Sequence, residues 1–301
     1  MKILNFGSVN IDFTYRVPHF VRPGETLAAC SVTRNAGGKG FNQSVALAKA
    51  GCDVYHAGHI GTDGQFLKVL CESYGIHTDY LAEVETPTGN AIIQVDDNGA
   101  NCIILFGGAN QAMDTEFIRQ VLSGFEKGDM LVLQNEINCM NEIITMAHEA
   151  GIAIAINPAP MNDAIAHEKL ALCNWLILNE TEAEELTGVS EPYAQLGALG
   201  KDYPNTAVLL TLGVRGCICR KDGKTYTMGS CKVNAVDTTA AGDTFAGFFL
   251  GSLSRGKDID AALLTATRAS ALAVQKHGAA QSVPTLEEVE ACALMPGEVQ
   301  L

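Results

Sequence analysis

Residues 152–179 read "IAIAINPAPMNDAIAHEKLALCNWLILN", and the reading of this stretch decides the fold class. Two short apolar runs, "IAIAIN" at 152–157 and "WLILN" at 175–179, bracket a segment with helical patterning. Neither run alternates polar with apolar side chains, so each suits a strand covered on both faces, the habit of parallel sheets flanked by helices. Working outward, the unit recurs. "MLVLQ" at 130–134 precedes it across a helix ending near Gly151, and "AVLLT" at 207–211 follows a further helix. The repetition predicts an α/β fold with a doubly wound, mostly parallel sheet flanked by helices.

Two segments break this rhythm, "DFTYRVPHFVRPGETLAACSVTR" at 12–34 and "VETPTGNAIIQVDDNGANCIILF" at 84–106. Both alternate apolar and polar residues around Pro-Gly and Asp-Asn-Gly turns, as solvent-facing antiparallel strands do. They are expected to pair into a small antiparallel β lid beside a core made of 1–11, 35–83 and 107–301, and an antiparallel extension of the main sheet is the alternative. A hairpin is predicted at "CICRKDGKTYTM" (217–228), with Asp222 and Gly223 at its tip. Two helical patterns follow at 243–255 and 258–276, the second ended by Gly278.

Composition narrows the partners. The chain has 301 residues, 47% of them hydrophobic, but no uninterrupted apolar run of the roughly 20 residues that a spanning helix needs. No membrane partner is expected. Asp and Glu (34) outnumber Lys and Arg (20), giving a net charge of −14 that repels a polyphosphate backbone, so nucleic acid is not expected either. The N-terminal "MKILNFGSVNID" runs straight into a strand without an export signal. The ten cysteines include only a C-x-C pair, Cys217 and Cys219, and no zinc or C-x-x-C spacing, so they read as reduced thiols of a cytoplasmic protein.

Several motifs can carry chemistry. "NAGGKGFNQSVALAKAG" (35–51) sets Gly37, Gly38 and Gly40 ahead of an amphipathic helix, where bare backbone admits a ligand to exposed amides, or simply makes a tight turn. It is no Walker loop, because Lys39 is followed by Gly40 and the earlier glycine falls on Thr33. Asn42 one turn in favours a polar ligand. In "SVNID", at the end of the first strand, Asn10 and Asp12 share a face by the period of two, on the edge where this fold class binds ligands, or on this motif alone simply cap a turn. "NETEAEELTG" (179–188) has the spacing of a capping box between Asn179 and Glu182, and equally offers an amide and a carboxylate able to organise magnesium waters and phosphate. "TLGVRG", Thr211, Leu212, Gly213, Val214, Arg215 and Gly216, is a glycine-rich turn after a strand that suits nucleotide phosphates or a plain reversal.

The most informative stretch is "DTTAAGDTFAG" at 237–247. If a helix starts near Gly242, the amides of Ala240, Ala241, Gly242 and Asp243 form a positively polarised nest that small residues leave uncovered. An anion can sit there with the Asp243 carboxylate beside it, ready to take a proton from an attacking hydroxyl. That pairing of charge stabilisation with a base is what phosphoryl transfer requires. Asp243 as a mere complement to the helix dipole leaves "AAG" unexplained.

Taken in order, "GGKGFN", "NPAP", "NETEAEELTG", "TLGVRG" and "DTTAAGDTFAG" resemble the ribokinase (phosphofructokinase-B type) family of sugar kinases, over nearly the whole chain. The resemblance implies ATP-dependent phosphorylation of a sugar primary hydroxyl, with D-ribose to D-ribose 5-phosphate as the leading case. It implies Asp243 as base and Ala240 to Gly242 as anion hole. Asn10, Asp12, Gly38, Lys39, Gly40, Asn42 and Glu136 would surround the sugar. Asn179, Thr211 to Gly216 and Gly242 would hold ATP, while Glu182 would order the Mg2+ shell. It further implies an activating K+ at Asp237, Thr239, Ala273, Lys276, Gly278 and Ser282, and a homodimer formed through the lid. Two positions depart from the family pattern, Phe41 in "GGKGFN" and Asn90 in "TPTGNAI". Both are expected near the sugar and would bear on which sugar is taken. A kinase for another sugar or a nucleoside, and a non-catalytic binder on the same fold, are the alternatives. A dinucleotide oxidoreductase lacks its glycine fingerprint after the first strand.

Overall fold

The computed structural model describes residues 1–162 and 164–299. In chain order its strands are β1 (Lys2–Phe6), β2 (Asn10–Arg16), β3 (Ser31–Gly37), β4 (Asp53–Gly61), β5 (His77–Val84), β6 (Gly89–Val95), β7 (Asn101–Phe106), β8 (Met130–Gln134), β9 (Ala153–Asn157), β10 (Trp175–Asn179), β11 (Ala207–Thr211), β12 (Cys217–Lys221) and β13 (Lys224–Met228). The α-helices are α1 (Lys39–Lys49), α2 (Gln65–Ser73), α3 (Thr115–Leu122), α4 (Met140–Glu149), α5 (His167–Leu170), α6 (Glu180–Thr187), α7 (Pro192–Asp202), α8 (Ala241–Ser254), α9 (Ile259–Ala273) and α10 (Leu286–Glu290).

The four apolar runs become β8, β9, β10 and β11 of a nine-stranded sheet ordered β13-β12-β11-β10-β9-β8-β1-β4-β5. All its pairings are parallel except β11–β12 and β12–β13. Alternate side chains feed two cores: Val132, Ile177 and Leu209 meet Val45, Phe248 and Ala266 on one face. On the other, Leu133, Leu176 and Leu210 meet Ile118, Ile144 and Leu196. Burying each such side chain contributes about 1.5–3 kcal/mol, which is why these strands carry no polar alternation. The strand order reverses between β1 and β8, and this switch point opens a crevice at the carboxyl edge of the sheet.

A separate sheet, ordered β3-β2-β6-β7, is built from the two segments that break the rhythm. Its β2–β3 and β6–β7 pairs are antiparallel, and the parallel β2–β6 pair joins them. The hairpin of β12 and β13 turns at Asp222 and Gly223, both with positive φ. The second C-terminal helix is shorter than its pattern. It ends at Ala273 because the Val274 carbonyl accepts the amides of Val236 (2.7 Å) and Asp237 (3.2 Å), and Gly278 lies in the loop beyond.

Small residues set how α8 meets α1. A Cβ on Gly247 would come within 2.4 Å of the Ala46 Cβ, and one on Gly251 within 2.8 Å of the Ala50 Cβ. The bare faces let the two helices touch, and this contact carries the first turn of α8 to the first turn of α1.

Candidate active site

Where α8 begins, no side chain caps it. Ala240 takes the N-cap position in the left-handed region (φ 56°), and neither the Thr238 nor the Thr239 side chain bonds the first turn. The expected nest is smaller than four amides, since Ala241 N–H donates to the Thr238 carbonyl at 3.2 Å, closing the turn that carries Ala240. The amides of Ala240, Gly242 and Asp243 take no partner among the described residues. Space above Gly242 is open, with no atom within 4 Å of a Cβ built there.

Asp243 is buried, and its carboxylate accepts from Gln43 Nε2 at 3.0 Å and from Asn42 Nδ2 at 3.3 Å. It lines a cleft of about 230 Å³ with Lys39, Asn157, Asn179, Glu182, Thr211 and Thr238, at the carboxyl ends of β9, β10 and β11. Burial would lower the Lys39 pKa, but the carboxylates of Asp243, Glu136 and Glu182 together raise it above its ordinary value. Lys39 is therefore a permanent ammonium at the junction of cleft and crevice.

The crevice at the switch point gathers Asn10, Asp12, Asn42 and Glu136. Glu136 Oε2 accepts the Ser8 hydroxyl and the Lys39 amide (3.0 Å), so it caps α1, whose own N-cap residue is Gly38. The other oxygen, Oε1, keeps its lone pairs. The Asp12 carboxylate has no hydrogen bond among the described residues, and burial, reinforced by Glu136, raises its pKa to about 6. Gly37 is what admits it, since a Cβ there would fall 1.9 Å from Asp12 Oδ2. Asn10 is fixed by Asn110 Nδ2, which donates to its Oδ1 at 2.7 Å, leaving Asn10 Nδ2 free. Asn42 Oδ1 is buried without a partner.

Other expected residues fall less simply. Asn179 and Glu182 do form the capping box: Glu182 N–H donates to Asn179 Oδ1 (2.9 Å) and Asn179 N–H to Glu182 Oε2 (2.9 Å), with Asn179 Nδ2 (2.8 Å) and Asn157 Nδ2 (3.1 Å) as further donors to that carboxylate. Both also face the cleft, so capping and lining are one arrangement. Of Thr211 to Gly216 only Thr211 lines the cleft. Leu212 is core, Val214 is 86% exposed, and Arg215 pairs with Glu180. Asp237 Oδ1 and Oδ2 accept the amides of Thr239 and Gly278, each at 2.9 Å. Nearby, Lys276 N–H donates to the Ala273 carbonyl, while its ammonium pairs with Glu288. Ser282 is buried with its hydroxyl on the Ala279 carbonyl.

Phe41 and Asn90 do not meet the crevice. Phe41 is wholly buried in the core, edge-on to Tyr74, because the first turn of α1 directs it under the helix. Asn90 pairs across the small sheet with Ile11 and Phe106, and by the pleat that row lies on the face opposite Asn10 and Asp12. Residues that sequence reasoning passed over include Gln43, Asn110, Gln134, Asn157 and Thr238. A signal existed for two of them: every apolar run ends in a polar residue, Gln134, Asn157, Asn179 and Thr211, where the strands reach the ligand edge.

A doubly wound sheet, a cleft at its carboxyl edge, and a buried carboxylate beside open helix amides define an ATP-dependent carbohydrate kinase. The chain belongs to the pfkB family of carbohydrate kinases, whose model matches residues 1–286. It is 36% identical over 291 residues to a ribokinase of Haemophilus influenzae, covering 94% of this chain and 95% of that one. Its fold is similar to a ribokinase of Thermotoga maritima (TM-score 0.85, 36% identity, 96% and 98% of the two chains). It is also similar to an Arabidopsis thaliana ribokinase complexed with ribose and ATP (TM-score 0.85, 31% identity, 96% and 97%).

Proposed function

We propose that this kinase transfers the terminal phosphoryl group of ATP to the primary hydroxyl of D-ribose, giving D-ribose 5-phosphate. One observation carries the reading: the Asp243 carboxylate stands beside an uncapped helix N-terminus, in a cleft that Lys39 also lines. Asp243 takes the hydroxyl proton, the sugar oxygen bonds to the terminal phosphorus, and the bond to the bridging oxygen breaks as ADP leaves. The Gly242 and Asp243 amides and the Lys39 ammonium meet the charge spread over the transferred oxygens. Asn10 Nδ2, the Asp12 carboxylate, Asn42 Oδ1 and Glu136 Oε1 hold sugar hydroxyls, with the half-buried backbone of Gly38 beneath, whereas Gly40 is packed on Gly7 and Ser8 and its amide and carbonyl are taken by Ser8 and Asn5. Asn179 and Thr211, with the turn through Gly216, hold the nucleotide.

When bound with ATP, Mg2+ neutralises phosphate charge. The Glu182 carboxylate fits that task through water, because its protein donors leave oxygen lone pairs facing the cleft. For K+, Asp237 and the chain carbonyls around Thr239 and residues 273–282 are an all-oxygen donor set. Equal rates with and without potassium would refute that site. The four-stranded sheet, whose strands lie within 10–37 and 89–106 rather than the expected 12–34 and 84–106, is the lid, and its β7 supports a homodimer. Ile103, Ile104, Leu105 and Phe106 are 50–59% exposed on it. A sedimentation mass of one chain at micromolar concentration rules the dimer out.

Ten free thiols support a cytoplasmic setting, which cell fractionation tests. Among the described residues no helix is long and apolar enough to cross a membrane. The substrate is tested by a panel of pentoses, hexoses and nucleosides with ATP and potassium. Ribose should give the highest kcat/KM; a nucleoside or hexose outranking it overturns the assignment. The inward environment of Phe41 and the outward row of Asn90 favour ribose, since neither departure from the family pattern reaches the crevice.

A further inference from the structure

Behind Asp243 runs a chain of buried polar side chains that the transfer itself does not use. Asn5, Gln43, Ser44, His56 and Gln134 are all at most 2% exposed. Their hydrogen bonds have a forced direction. A carboxylate only accepts, so Gln43 presents Nε2 to Asp243 Oδ1 (3.0 Å) and turns its Oε1 inward. From the other end, the Gly40 carbonyl also only accepts, so Asn5 presents Nδ2 to it (2.6 Å) and turns its Oδ1 inward. Between these two inward-facing oxygens lies Gln134 Nε2, 2.7 Å from Gln43 Oε1 and 3.0 Å from Asn5 Oδ1.

The far end is anchored as well. Asn5 Nδ2 also donates to Ser44 Oγ (2.7 Å), which is hydrogen-bonded to His56 Nδ1 (2.7 Å). Burial holds the His56 pKa down to about 4, so the ring is neutral. Gln134 spends both amide hydrogens on this bridge and leaves its Oε1 buried with no partner among the described residues. Room for that oxygen exists because residue 7 is glycine; a Cβ there would lie 2.3 Å from it. A residue kept in this state, with one polar atom unpaired, serves orientation more than cohesion.

We propose that Gln134 is a positioning residue for phosphoryl transfer: its paired donors lock the Gln43 amide nitrogen toward Asp243 and so fix the plane of the carboxylate. The proposal rests on Asp243 being the base. Without Gln134, the Gln43 amide keeps its donor on the carboxylate but loses the inner anchor that fixes its side-chain torsions, and the base loses its orientation relative to the sugar hydroxyl. Transfer then slows although neither substrate loses a contact.

The test is steady-state kinetics on the full chain with ribose and ATP, comparing Gln134→Met, Gln43→Met, the double variant and Asp243→Asn. Gln134→Met should lower kcat on the order of 10- to 100-fold with both KM values within about threefold. The double variant should be no slower than Gln43→Met alone, because Gln134 acts only through Gln43. An unchanged kcat, a loss confined to KM, or independent additive losses each overturn the proposal. Undiminished turnover in Asp243→Asn overturns the base itself, a separate outcome. If Gln134→Met does not fold, Gln134→Glu, which keeps the shape but lacks the paired hydrogens, is judged by the same split.

Discussion

Gly247 of α8 lies so close to Ala46 of α1 that a Cβ on the glycine would come within 2.4 Å of the alanine Cβ. This contact, one turn beyond the base, holds Asp243 against Asn42 and Gln43. Gly247→Ala should therefore push the helices apart, costing about 1–3 kcal/mol in urea unfolding and lowering kcat together with stability. A variant as stable and as active as the parent would show that the contact does not position the site.

Asp243→Asn should lower kcat by on the order of 10² to 10⁴, since the amide cannot take the proton. ATP affinity, measured by calorimetry, should be largely kept. Unchanged turnover would remove Asp243 from the chemistry.

Asp12 gives a pH signature. Its pKa in the folded chain is raised to about 6 from an ordinary 3.8, first by burial and then by Glu136. The folded state therefore binds the proton more tightly than the unfolded chain. Stability from this group is full below about pH 4 and is lost as pH rises through about 6. Asp12→Asn should thus stabilise the protein at pH 7.5, by about 1–2 kcal/mol once solvent screening is allowed for, and hardly at pH 4. Thermal melts at the two pH values check this. In the parent, sugar KM should rise as pH falls through about 6, because the protonated carboxyl is a weaker acceptor.

Glu136 caps α1 through a single oxygen, Oε2, which leaves Oε1 to the crevice. Glu136→Gln should weaken the start of α1 by about 0.5–2 kcal/mol, read by urea unfolding, and raise sugar KM while ATP KM stays put. A change in ATP KM alone would move Glu136 to the other side of the site.

Much of this architecture is legible in the sequence. The runs "MLVLQ", "IAIAIN", "WLILN" and "AVLLT" specify covered parallel strands because their pattern depends only on which faces are buried. "AAGDT" marks an uncapped helix start for an equally local reason, the absence of side chains over its amides. The Asn179–Glu182 capping box is a three-residue relation and is equally readable.

Other features depend on contacts that no local pattern encodes. Asp243 and Gln43 are 200 positions apart, and Gln134 meets Gln43 across 91. Their meeting follows from strand order and from the bare face of α8. Phe41 and Asn90 point away from the crevice because of helix phase and sheet register, and the Ala241 amide is lost to a turn at Thr238. The sequence by itself determined the layers, the two segments of the small sheet and the residue types able to transfer a phosphoryl group. Only the tertiary structure decided which groups face one another, because hydrogen-bond direction and side-chain facing are set by packing between distant segments.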